Sequence, residues 1–256
     1  MPFVYSIRNM FEKLRLPKKI TPSPIAEAIF EIRFASDIPG TALCGIFYPT
    51  ISTFISGSTI EELPIVQLPP VVRDNDPNLR FQPHYKVAKE NFVFAFGPNS
   101  ISFSCLSPYS GWDEWTKFFF PILEDLEKLD VLKNAKINRL GLRNINKIDG
   151  KLLEHTKTVF AIDNTSLAPY KTQIHSEFFE NDNLIILNMA NDIGQQKKDI
   201  ISVFDIDCVK NVNAPFVTLK KDIIESGMLD SLHETNKKFF FGLLKEDFLE
   251  KMNPEY

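Results

Sequence analysis

The sequence predicts an α+β protein with two similar halves, each running strand, helix, three strands, helix, in which mainly antiparallel sheet packs against long helices. Three observations predict it. Several runs alternate apolar and polar residues with the period of two that a half-buried strand requires, among them Ala26–Phe34 and Ser100–Leu106. Two long stretches, one from Trp112 and one from Leu219, carry apolar residues at helical spacing. The order of these elements then begins again, which divides the chain into a lead-in over 1–21, a first half over 22–133 and a second over 134–256, as two domains or as one compact domain.

Taken in order, a weak amphipathic helix is expected over Tyr5–Leu14, ended by Pro17. In AEAIFEIRF, Ala28, Phe30, Ile32 and Phe34 alternate with Glu27, Ile29, Glu31 and Arg33, which predicts a strand with one apolar and one largely polar face. TALCGIFYPTISTFIS is apolar with helical spacing despite Gly45 and Pro49. Residues 57–78 hold four prolines and no periodicity, so they read as a long loop. Strands are expected at Arg80–Ala88, Asn91–Phe96 and Ser100–Leu106, with a turn at Gly97-Pro98-Asn99. The helix from Trp112 has Asp113 and Glu114 in its first turn, where the helix dipole favours carboxylates. Pro121 predicts a kink there or a late start.

In the second half, Ile137–Ile148 reads as a strand, Leu152–Ala161 as a short helix or strand, and Tyr170–Glu180 with Leu184–Ala190 as a hairpin around Asn181-Asp182-Asn183. Ile200–Cys208 is a further strand, and the tail Leu219–Met252 is helical with a break at Gly227.

Composition narrows the function classes. The net charge of −4 and the pairing of lysines only in twos (Lys18-Lys19, Lys197-Lys198, Lys220-Lys221, Lys237-Lys238) give no basic face, so no nucleic acid is expected as a partner. No stretch is apolar for the length a bilayer demands and the first residues lack the apolar core of a signal peptide, so the reading is cytoplasmic with no membrane partner. Three cysteines with no CxxC spacing argue against a disulfide framework or a structural zinc. The 23 phenylalanines read first as aromatic core. No P-loop, Rossmann glycine run, HExxH or GxSxG occurs, and no cofactor is expected.

One constellation carries chemistry. On INRLGLRNIN, Arg139 and Arg143 share a strand face. On VFDIDC, Asp205 and Asp207 share another, with carboxylates about 7 Å apart. Glu27, Glu31 and Arg33 share the polar face of the first strand. Neighbouring strands would turn these into a ladder of Arg, Glu and Asp. Its first reading is structural ion pairs on an open face. Its functional reading is a polar groove for an anionic ligand or a peptide, with Arg143 as a forked donor beside Arg33, Arg139 and Glu31. A third is a divalent metal held by Asp205 and Asp207. His233-Glu234 is read as a polar helix pair, and Trp112 and Trp115 as packed core before stacking platform.

PIAEAIFEIRF (Pro24–Phe34), Arg80-Phe81-Gln82, the WxxW of Trp112 and Trp115, RLGLRNIN (Arg139–Asn146) and Leu232-His233-Glu234 occur in this order, and the chain thereby resembles a family of sporadically distributed prokaryotic proteins of about this length with no established activity. The resemblance spans residue 20 to the C-terminus. It implies a bacterial cytosolic protein, draws attention to Arg33 and Arg143 within the two most specific motifs, and suggests a gene linked to mobile or defence loci. Asn144 departs from it, since the family carries an aromatic residue there.

The functional expectation is a ligand- or protein-binding, regulatory module with its groove between the two halves. The alternative is a metal-dependent enzyme of unfamiliar type using Asp205, Asp207 and Glu31. A homodimer is compatible with both, and the C-terminal helix with Phe239, Phe240, Leu243, Leu244 and Phe248 is expected either to complete the core or to lie across a partner.

Overall fold

The alternation that begins after Pro24 is realised as β1 (Ile25–Ala35). Ala28, Phe30, Ile32 and Phe34 are fully buried, while Glu27, Ile29, Glu31 and Arg33 are half-buried on the opposite face. Successive side chains of a pleated strand point to opposite sides, so the written pattern becomes two chemical faces. The computed structural model describes residues 14–39, 42–54, 57–180, 182–193 and 200–256. The helix expected over Tyr5–Leu14, apart from Leu14, and the Lys197-Lys198 pair lie outside them.

The fold is mixed helix and strand with a large antiparallel sheet, and it divides into two compact units. One comprises Ile29–Gly141 and Asn211–Asp230. The other comprises Met1–Ala28, Leu142–Lys210 and Ser231–Tyr256. Three long strands, β1, β6 (Lys136–Asp149) and β11 (Ile201–Pro215), contribute residues to both.

In the first unit the sheet order is β2 (Ile60–Glu62), β3 (Tyr85–Lys89), β4 (Phe92–Gly97), β5 (Ser100–Leu106), β1. The pairs β2–β3, β3–β4 and β4–β5 are antiparallel. α1 (Leu43–Phe54) and α3 (Trp112–Glu127) pack beside one another. The phenylalanine core is here: the Phe119 ring lies 5.5 Å from Phe30 and 5.1 Å from Phe103, and Phe103 lies 4.9 Å from Phe94. All four are fully buried, each worth about 1.5–3 kcal/mol in apolar transfer. Trp115 belongs to the same core, with Trp112 half-buried at its edge.

Three local expectations need correction. Helix α3 starts at Trp112 and includes Pro121, so the late start does not occur; Pro121 is exposed, and so is Lys117, the residue whose carbonyl loses its usual donor. The stretch 57–78 is more than a loop: it holds β2, a 3-10 turn over Pro64–Gln67 and α2 (Pro70–Asn75), whose leading proline sits where no N–H is required. The strand expected from Arg80 starts only at Tyr85, since residues 76–82 turn back on themselves and Pro83 follows. The backbone there passes so close to Gly97 that a Cβ on that glycine would stand 2.8 Å from the Gln82 carbonyl oxygen.

In the second unit β6 is followed by β11, β10 (Asn183–Asn191) and β9 (Thr172–Glu180), with β9–β10 and β10–β11 antiparallel. The stretch Leu152–Ala161 begins as the short α4 (Leu152–His155). Phe204, Ile206 and Cys208 of β11 and Ile185, Leu187 and Met189 of β10 are buried on one face. Against them lies α5 (Met228–Leu243), its Phe239 ring 5.1 Å from Phe178 and its Phe240 ring 5.6 Å from Phe204. The break at Gly227 falls as expected, at φ +74° between a π-helical turn over Lys220–Glu225 and α5. Phe239, Phe240 and Leu243 are buried on α5, so this helix completes the core; the expected C-terminal helix stops there, buried Leu244 follows it, and Phe248 stacks on His155 from a separate helix, α6 (Glu246–Glu250). No helix among the described residues is long and apolar enough to cross a membrane.

Candidate functional site

Each unit gathers part of the charge anticipated from the strand faces. In the second unit, Arg143 of β6 donates from Nε and Nη2 to the two oxygens of Asp205 on β11, both at 2.8 Å. This is the side-on fork in which guanidinium and carboxylate geometries match. Asp205 is only 4% exposed, and a carboxylate taken from water needs such a partner. The hydrogen bond raises the Arg143 pKa above the ordinary arginine value against the opposing effect of burial, with Asp207 and Glu27 adding to the field. The Arg143 side chain remains 43% exposed.

The sheet register extends this pair into a row. Asn188 of β10 stands opposite both Asp205 and His175 of β9. Its amide nitrogen donates to Asp205 Oδ2 at 3.0 Å, and its oxygen lies 2.7 Å from His175 Nδ1. A carboxylate only accepts, so the amide nitrogen must face Asp205 and His175 must carry its proton on Nδ1. His175 Nε2 lies 3.1 Å from Glu177 Oε1. The contact with Asn188 first and that with Glu177 second raise the His175 pKa. The row passes from a buried carboxylate at β11 to exposed His175 and Glu177 on β9. Asn188 and His175 escape sequence reasoning, because only the register brings them into line with Asp205.

In the first unit, Glu31 accepts from Nε of Arg33 at 2.6 Å and from Nη1 of Arg139. Arg33 also lies over the Phe81 ring, 4.7 Å from its centroid, and Arg80 approaches the same ring at 5.7 Å. The Arg80-Phe81-Gln82 segment is pinned to the β4–β5 turn: Ser100 Oγ donates to the Phe81 carbonyl at 2.8 Å and Asn99 Nδ2 to the Arg80 carbonyl at 3.4 Å. Beside it opens a cleft of roughly 550 Å³ whose lining includes Arg80, Lys136, Asn99, Asn134, Ser36 and Asp37. The four predicted binding residues thus fall into two clusters: Arg33, Arg139 and Glu31 in one unit, Arg143 in the other.

The remaining candidates have structural roles or no cluster around them. Both oxygens of Asp205 are engaged by Arg143, Asp207 faces Ile186 across the ladder, and the described residues hold no group of three His, Cys, Asp or Glu placed to share an ion. His233 Nδ1 is 3.9 Å from Glu234, which pairs more closely with Lys237 at 3.1 Å. Burial pushes the His233 pKa down to about 4, with Lys237 contributing, so the ring is neutral at pH 7. Cys105 and Cys208 are free and buried, and burial raises the pKa of both thiols.

The asparagines of the GLRNIN segment explain part of that motif. Asn146 Nδ2 donates to the Phe204 carbonyl at 2.9 Å. Asn236 of α5, fully buried, donates to the carbonyls of Ile206 at 2.8 Å and Leu142 at 3.2 Å, and accepts from Asn144 Nδ2 at 3.0 Å. The polar residue at 144 therefore has a partner on the helix.

Compared with models of known protein families and with curated proteins, this sequence matches no family model and no curated protein.

Proposed function

We propose that this chain is a binding module, regulatory rather than catalytic, for an anionic group carried by a small molecule or by a partner protein, in a prokaryotic cytoplasm as the resemblance of its motifs implies. One observation carries the reading: the cleft beside Arg80-Phe81, where Arg80 and Lys136 stand with four uncharged or acidic polar neighbours and Arg80 shares the Phe81 ring with Arg33. Guanidinium groups steadied on an aromatic face keep their outer donors available, and a fork of fixed donors suits carboxylate or phosphate. Glu31 holds Arg33 in place while Arg139 shares the carboxylate. Arg143, fixed by Asp205 and partly exposed, offers a second forked donor of the same kind in its own unit.

The order of elements adds to the reading of two similar halves. Outward from β1 the neighbours are β5, β4, β3 and the three-residue β2, and outward from β6 they are β11, β10 and β9; leaving the short β2 aside, the first strand of each half lies beside the last and the rest follow in reverse order. The shared plan fits a duplicated binding scaffold.

The experiment is native mass spectrometry of the protein purified gently from its own host, repeated with an Arg80→Ala/Lys136→Ala double variant. A co-purifying anionic molecule or protein that the double variant loses supports the reading. A bare chain whose melting temperature also stays constant across a titration of phosphate and small carboxylates overturns it, because a ligand that binds only the folded state must raise that temperature.

A further inference from the structure

Strand β9 ends its sheet, and no described residue pairs with its outer edge. It is nine residues long, TQIHSEFFE, regular along its whole length against β10, and free of proline, glycine and lysine. Proteins commonly protect such an edge with charge, proline, a bulge or a covering element. Proline, a bulge and a covering strand are absent here among the described residues, and the charges on the strand, Glu177 and Glu180, are ones that an opposite charge can meet.

Backbone alternation fixes which groups face outward. Glu180 and Asn183 close the hairpin and form its terminal hydrogen-bonded pair. The peptide groups of Thr172, Ile174, Ser176 and Phe178 therefore also point to β10, and those of Gln173, His175, Glu177 and Phe179 point away from it. We infer that this edge is the contact surface for a second copy of the same chain, β9 pairing antiparallel with the partner's β9 about a two-fold axis at Ser176.

The sequence is self-complementary in that register and in no neighbouring one. With Ser176 opposite its own copy, His175 faces Glu177 twice, on the exposed face of the strand, and Ile174 faces Phe178 twice, on the half-buried face. The outward-pointing residues pair only with one another, giving about eight backbone hydrogen bonds across the axis. Moving the axis to His175 sets the two histidines opposite each other, and Ile174 against Ser176. Moving it to Glu177 sets carboxylate against carboxylate, and Ile174 against Glu180. Opposite charges and matched apolar pairs facing across a ladder stabilise it, and like charges oppose it. The cross-axis partner of His175 is the residue type it already meets within its own strand, Glu177 at 3.1 Å, so pairing exchanges one carboxylate for another.

The test is oligomeric state by sedimentation velocity, with substitutions chosen to leave the β9–β10 ladder intact. The native chain is expected to dimerise with a concentration-dependent equilibrium. Glu177→Lys, which sets cation against His175 across the axis, is expected to weaken the dimer at least tenfold, and His175→Glu/Glu177→Lys to restore it. Glu177→Pro, which removes an outward N–H only, is expected to abolish it with the circular dichroism spectrum unchanged. Ser176→Cys is expected to cross-link to its own copy on mild oxidation, since facing residues of a non-hydrogen-bonded pair come within disulfide range. A monomer at every concentration, or a dimer that Glu177→Lys and Glu177→Pro leave at full strength, overturns the inference.

Discussion

At the scale of single residues, the chemistry of Arg143 and Asp205 sets how the binding reading can be tested. Removing one member of a pair whose carboxylate is buried leaves an uncompensated charge, so Arg143→Ala is expected to cost about 2–3 kcal/mol of stability whether or not it touches a ligand. Urea unfolding measures that cost, and Arg143→Lys, which keeps the charge and loses the fork, is the better probe of recognition. Asn236 is a second such position. Asn236→Leu strands two sheet carbonyls and the Asn144 amide, with an expected cost of about 3 kcal/mol in the same assay. His233 sets a pH dependence. Its folded pKa, about 4, lies below the ordinary 6.5, so the unfolded chain binds the proton first. The stability that goes with the neutral ring is complete above pH 6.5 and is lost progressively as pH falls towards 4. His84 and His155, also lowered by burial, act in the same sense. Melting temperatures recorded from pH 7 to pH 4 are expected to fall less steeply in His233→Gln than in the native chain.

At the scale of elements, periodicity carried most of the information. The period of two in Ala26–Phe34 and Ser100–Leu106 and the helical spacing from Trp112 each became the element expected, because burial of one face is decided by side chains on the element itself. The misses have a common cause. Residues 76–82 fold back and are held by the β4–β5 turn through Ser100 and Asn99, contacts from residues about twenty positions away that no local pattern records. Pro121 is accommodated within α3 where it and Lys117 are both exposed, again a fact of placement. The same placement makes Phe119 the residue on which α3 depends: its ring meets those of Phe30 and Phe103 from two strands. Phe119→Ala is expected to cost about 3–5 kcal/mol, read from chemical denaturation, where the neighbouring exposed Lys117→Ala should cost under about 0.5 kcal/mol.

For the whole molecule, the two compact units are drawn from non-consecutive segments, and β1, β6 and β11 each belong to both. Residues 22–133 expressed alone lack β6 and β11, and with them Arg139, the second guanidinium on Glu31. That fragment is expected to show no cooperative thermal transition, whereas the full chain shows one; a cooperatively folding fragment would mean that the first half needs nothing from the second. The binding residues show the same dependence. Arg33, Arg139, Arg143 and Glu31 were legible as charges on strand faces, because alternation fixes the face. Their partners were not: Asp205 for Arg143, Phe81 for Arg33 and the Asn188–His175 extension follow from strand order and register, which a strand's own residues do not encode.

The sequence by itself determined the α+β class, most strands and helices, the aromatic core and the polarity of each strand face, since all of these follow from the spacing of apolar side chains along a chain of fixed geometry. Only the tertiary structure decided which charges meet, which carbonyls Asn236 caps, where the cleft beside Arg80 opens and which strand is left as an edge. Those depend on contacts between residues far apart in sequence, where hydrogen-bond geometry and burial act across space.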